Sequence, residues 1–170
     1  GGWRLMVFRV AGGVAANQGG PLGYYGLFIS TQSQPNTVGN TANLISLDTT
    51  VRSSGLTNNN GVITFANPGI YQVLVEFAWK DATGANPVVS SWMYQNGANL
   101  ANTAQDFQLL GGANNIALST CVWIINAAVN DTFSVYWSSS NTNVSLAYQG
   151  TLTTPTRPAS PSVILAITQV

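Results

Sequence analysis

The run from Gly69 to Trp79, introduced by Asn67-Pro68, constrains the fold more than any other stretch of this chain. Its apolar and aromatic side chains recur with a period of two, not 3.6, which is the pattern of a strand. Tyr71, Val73, Val75, Phe77 and Trp79 share one face. Ile70, Leu74 and Ala78 share the other, with Gln72 and Glu76 as its only polar interruptions. A strand that is apolar on both sides is covered on both sides, so the expected architecture is a β-sandwich with a further partner laid over it. Glu76 is costly to bury alone at such a position. Arg52 or Lys80, from the same chain or a neighbouring copy, is its expected counter-ion.

Turn-forming clusters cut the remaining sequence into short runs of the same kind. Gln34-Pro35-Asn36, Asn58-Asn59-Asn60-Gly61, Asn67-Pro68-Gly69 and Asn96-Gly97 are breakers whose residues favour tight turns. They separate expected strands at Tyr24 to Thr31, Leu44 to Val51, Gly61 to Ala66, Gly69 to Trp79 and Val88 to Gln95. Further strands are expected at Ile116 to Asn126, Asp131 to Ser138, Val144 to Leu152 and Ser162 to Val170. Ala98 to Leu110 reads as a short helical turn or a long loop. With an opening strand at Trp3 to Val10, the spacing predicts an all-β domain of about ten strands. Residues 1–23 hold that first strand and a Gly-rich connector, and residues 24–170 the main domain. At 170 residues the chain is long enough to bury a core without disulfides or metal.

Charge excludes several functions. Only 6% of residues are charged, and five basic residues balance five acidic ones, against a usual charged share of about 25%. Such a chain neutralises few phosphates, so neither nucleic acid nor an anionic membrane surface is an expected partner. No apolar run approaches the length of a membrane span. Near-zero net charge favours association, which points to a defined oligomer. Cys121 is the only cysteine, so no intrachain disulfide forms, and its apolar surroundings make it a buried structural thiol.

Catalytic chemistry is poorly supplied. The sequence has no histidine, which removes Ser-His and Cys-His nucleophiles and histidine-held metals. Asp48, Asp81, Asp106 and Asp131 fall at expected turns or strand ends, where aspartate closes turns through its own backbone. No pair is spaced to face across a cleft as glycoside hydrolysis requires. Trp92, Trp123 and Tyr148 are the aromatics that would stack on a sugar if exposed, although core placement is the commoner fate of such rings in a sandwich.

Several local patterns occur together and in order. They are Gly61-Val62-Ile63-Thr64-Phe65 with Gly69-Ile70-Tyr71 after a short turn, Met93-Tyr94-Gln95-Asn96-Gly97, Val129-Asn130-Asp131-Thr132-Phe133-Ser134-Val135, and the closing Ser162-Val163-Ile164-Leu165-Ala166-Ile167-Thr168. This series resembles the jelly-roll domain shared by complement C1q heads and the tumour necrosis factor (TNF) superfamily, over roughly Tyr24 to Val170. The resemblance implies a homotrimer in which inner sheets pack around a threefold axis. One face of the long strand, taken as Tyr71, Val73, Val75 and Phe77, would then meet neighbouring subunits together with Tyr136. It also makes calcium a weak option, with Asp131 or Asp48 as ligands, while no cofactor is implied.

The implied function is a non-enzymatic structural and recognition module. The Asn/Thr/Ser/Gly-rich, almost uncharged style is similar to trimeric heads of bacteriophage fibres and capsid decorations. That style points to the virion surface, with other virion proteins and a host cell-surface glycan as partners. A bacterial surface or spore-coat tip on a collagen-like stalk is the alternative, followed by a secreted TNF-like or carbohydrate-binding ligand.

Overall fold

A computed structural model describes residues 23–170. The expected strand Trp3 to Val10, and the connector as far as residue 22, lie outside the described residues. The chain forms strands β1 (Tyr25–Ser30), β2 (Gln34–Pro35), β3 (Asn43–Leu44), β4 (Thr49–Ser54), β5 (Leu56–Asn59), β6 (Val62–Phe65), β7 (Gly69–Asp81) and β8 (Val88–Gln95). There follow β9 (Ala98–Asn99), β10 (Gln105–Gln108), β11 (Ile116–Ala127), β12 (Thr132–Ser139), β13 (Val144–Leu146), β14 (Leu152–Thr153), β15 (Thr156–Arg157) and β16 (Val163–Gln169). No helix occurs among the described residues.

Two antiparallel sheets face each other. In the first, β11, β7, β16, β1 and β4 lie side by side, and β13 with β2 continues alongside the far end of β7. In the second the order is β10, β8, β12, β6, β5, with β3 joined to β12 and β9 to β8. Short β14 and β15 pair only with each other. β7 is the spine of the first sheet: β11 pairs with it from Gly69 to Lys80, and β16 from Tyr71 to Phe77 on the other side.

The core lies between the sheets. Tyr71, Val73, Val75, Phe77 and Trp79 of β7 meet Ile63, Phe65, Met93, Phe133, Val135 and Trp137 of the second sheet, and all are buried. The ring contacts run Phe65–Tyr71 at 4.7 Å, Phe77–Trp79 at 5.0 Å and Trp79–Trp137 at 5.4 Å. Offset or edge-on aromatic contacts of this kind add about 0.5 to 1.5 kcal/mol each to area burial.

The abundance of asparagine has a local cause. Among the described residues every non-glycine with positive φ is asparagine: Asn40, Asn60, Asn86, Asn96, Asn102, Asn114 and Asn130. Asparagine tolerates the left-handed region because its short polar side chain bonds locally. Asn60-Gly61 and Asn96-Gly97 both have positive φ at two successive residues, the backbone of a tight hairpin turn.

The expected boundaries hold for the long strands and fail for the irregular ones. Leu44 to Val51 is split into β3 and β4, and Val144 to Leu152 into β13 and β14. Ala98 to Leu110 holds no helical turn; it contains β9 and β10, with Thr103 Oγ1 donating to Leu100 O at 2.7 Å to close the turn between them. The two ends of the sandwich differ. At one, Gln169 N donates to Tyr24 O at 2.8 Å and Val170 N to Ile70 O at 3.0 Å. At the other, the loops meet through Ala82 N to Asn143 O at 3.0 Å and Asn114 N to Asp81 O at 2.7 Å.

Candidate functional site

The outward face of the first sheet carries an apolar surface that no other described residues cover. Along β11 the even-numbered residues point outward, leaving Leu118 62%, Val122 50% and Ile124 69% exposed. Among the described residues β11 is also an edge strand, hydrogen-bonded to β7 alone. A long, apolar, unpaired edge is an association surface unless it is shielded. The pairing registers set the neighbours across the sheet. Val122 lies beside Leu74, Leu74 beside Ala166, Ala166 beside Leu27, and Leu27 beside Arg52. The adjoining row is Thr120, Glu76, Ile164 and Ile29. A trough of about 420 Å³ is sunk into this face, lined by Tyr25, Leu27, Arg52, Ala166 and Thr168.

Two expectations about this surface are corrected. Tyr71, Val73, Val75 and Phe77 have no exposed area within a single chain, so they cannot touch a neighbouring subunit. They point toward the second sheet because that is where the larger aromatic partners lie. Tyr136 belongs to β12 in the second sheet, away from β7, and its ring lies 5.1 Å from Tyr94 and 6.2 Å from Trp92. The signal that finds the outward face is the alternation of Ile116, Leu118, Val122 and Ile124 along β11.

Glu76 lies in the outward face with no counter-ion among the described residues. Its carboxylate, like the Arg52 and Lys80 side chains, makes no hydrogen bond or ion pair with any described residue. The other described carboxylates are engaged. Asp48 accepts from Thr31 N at 3.0 Å, Thr31 Oγ1 at 2.8 Å and Thr49 Oγ1 at 3.1 Å. Asp131 accepts from Ala128 N at 2.9 Å, Asn96 Nδ2 at 2.8 Å and Gln95 Nε2 at 3.1 Å. The Ala128 N–H and then the Asn96 amide hold the Asp131 carboxyl below its usual range. Asp48 and Asp131 therefore act as loop fasteners from separate parts of the fold, and no group of three His, Cys, Asp or Glu gathers among the described residues.

A cleft of about 230 Å³ opens between β10 and β11, lined by Trp79, Ser91, Gln105, Asp106, Ser119 and Cys121. Trp79 Nε1 donates to Ser119 Oγ at 2.7 Å, Cys121 Sγ to Gln105 Oε1 at 2.8 Å, and Ser90 Oγ to Asp106 Oδ1 at 2.5 Å. Burial pushes the Cys121 thiol up, which keeps it protonated and unreactive. One carboxylate and a neutral thiol do not make an acid–base pair. Of the rings considered for sugar stacking, Trp123 is partly buried against the core. Trp92 lies on the outward face of the second sheet and bonds Asn99 Oδ1 at 2.8 Å.

No protein-family profile matches the chain, and no curated protein matches its sequence. Solved structures do match. Murine APRIL at pH 5.0 aligns with a TM-score of 0.57 and 10% identity, and at pH 8.0 with 0.55 and 11%; each covers 86% of this chain and 98% of that one. The globular domain of zebrafish complement 1qA aligns with a TM-score of 0.53 and 6% identity over 86% of this chain and 97% of its own. The fold is a C1q/TNF-like jelly roll.

Proposed function

We propose that the chain is the non-enzymatic head of a homotrimer that serves a structural and recognition role on a particle surface, in first place a virion. The outward face of β11, β7, β16 and β1 carries this reading. Fully burying side chains such as Leu118, Val122 and Ile124 is worth roughly 1.5 to 3 kcal/mol each, and in water they are a liability. A ring of identical copies relieves that exposure in every subunit at once. The near absence of charge and the reliance on Asn, Ser, Thr and Gly support a particle-surface setting, in which a bacterial or spore surface is the alternative and a secreted ligand the third choice. Light scattering on the purified chain tests the assembly. A mass three times the 17.9 kDa of one chain is expected, and a mass of one chain at micromolar concentration rejects it. Gold-labelled antibody on purified particles tests the location, with regular labelling of the virion surface expected and labelling of the host cell envelope alone favouring the alternative.

A further inference from the structure

We infer that the trimer is keyed by an ion pair between Glu76 of one subunit and Arg52 of the next, formed as β11 of the first seats against the trough of the second. This rests on the trimeric reading and adds the contact that sets its register. Rings of identical copies are closed by heterologous contacts, in which two different patches of the same molecule meet. The outward face offers two such patches. At one side the exposed Leu118, Val122 and Ile124 of β11 stand proud, with Glu76 on adjacent β7. At the other, the trough of about 420 Å³ over β1 and β16 has Arg52 of edge strand β4 on its wall.

Within one chain the two charges are held apart. Three inter-strand spacings separate β7 from β4, about 14 Å, and Ile164, Ala166, Leu27 and Ile29 fill the interval. Covering Glu76 with an apolar surface is strongly unfavourable unless the covering surface brings a cation. Among the described residues the basic side chains are Arg52, Lys80 and Arg157. Arg157 is already bonded to Gln149 Oε1 at 2.9 Å and Pro158 O at 3.1 Å. Lys80 lies four residues along the same strand and face as Glu76, about 13 Å away. A closed ring is a pure rotation without displacement along its axis, so with the axis along the strands, groups that meet lie at nearly the same level. Arg52 is one row from Glu76, within reach of its long side chain, whereas Lys80 is two rows away.

Charge reversal tests the pair. The full chain, E76R, R52E, the E76R/R52E double variant and E76R/K80E are compared by sedimentation over a dilution series, with near-ultraviolet circular dichroism confirming that each is folded. Each single reversal is expected to shift the dissociation midpoint to at least ~10-fold higher concentration, and E76R/R52E to recover most of that loss, since close interfacial charge pairs couple strongly. If the wild type is trimeric but the two reversals simply add, or E76R/K80E is the variant that recovers, the pairing is overturned while the trimer stands. A monomeric wild type overturns both.

Discussion

Two buried tryptophans in ring contact meet different fates at their polar atoms. Trp79 Nε1 has Ser119 as its acceptor, whereas Trp137 Nε1 is fully enclosed with no partner among the described residues. A buried donor left unsatisfied costs about 1 to 3 kcal/mol, so removing the Trp137 N–H offsets much of the packing lost with the smaller ring. Trp79→Phe is expected to cost about 2 kcal/mol or more in urea unfolding and Trp137→Phe under about 1; equal costs would discard this account. Asp131 makes a pH prediction. Its folded carboxyl titrates below the ordinary aspartate value, so the stability it contributes is complete above about pH 4 and is lost as pH falls through the depressed value. Asp131→Asn should therefore lower stability at neutral pH and narrow its loss on acidification, measured by melting temperature between pH 7 and pH 2. A variant whose acid profile matches the wild type would exclude that role. The sequence marked Asp131 as a turn acid but gave no sign of the orphaned Trp137 nitrogen, because hydrogen-bond satisfaction depends on which side chain lies opposite in space.

At the scale of the elements, the long strands were legible because alternation over many residues records burial directly. β7, β8, β11, β12 and β16 fall within two residues of their expected bounds. β9 and β10 were not legible: Gln105, Asp106, Phe107 and Gln108 are all exposed, and a strand without a buried face leaves no period to read. Which face of β7 turns inward was also hidden, since both are apolar and only the position of the second sheet decides between them. The turns permit a sharper test. Gly97 and Gly61 have φ of +83° and +99°, but a Cβ at Gly97 meets nothing within 4 Å, whereas one at Gly61 would lie 1.9 Å from Ile45 O. Gly97→Ala is expected to cost about 1 to 2 kcal/mol, the strain of a left-handed alanine. Gly61→Ala must also displace backbone, so it should cost at least twice as much in the same unfolding assay; equal losses would show that the Ile45 carbonyl yields freely.

For the whole molecule, the two sheets have unlike outer surfaces, and a paired substitution distinguishes them. Val122→Asp places a charge on the exposed apolar stripe of β11 and is expected to convert the proposed trimer to monomers by light scattering. Tyr136→Asp alters only the far sheet and should leave the mass unchanged. The opposite pattern would move the contact to the second sheet. The meeting of Tyr24 with Gln169 at one end of the sandwich, away from the loops that include Ala82 and Asn143, would give the proposed trimer a polarity. Cyclic copies all point the same way, so tethers fused after Val170 would emerge together from one pole and leave three sets of loops aimed forward from the other. A target that grips each set weakly would still be held firmly, because engagement of the second and third becomes intramolecular and avidity can exceed single-site affinity by about 10²- to 10⁴-fold.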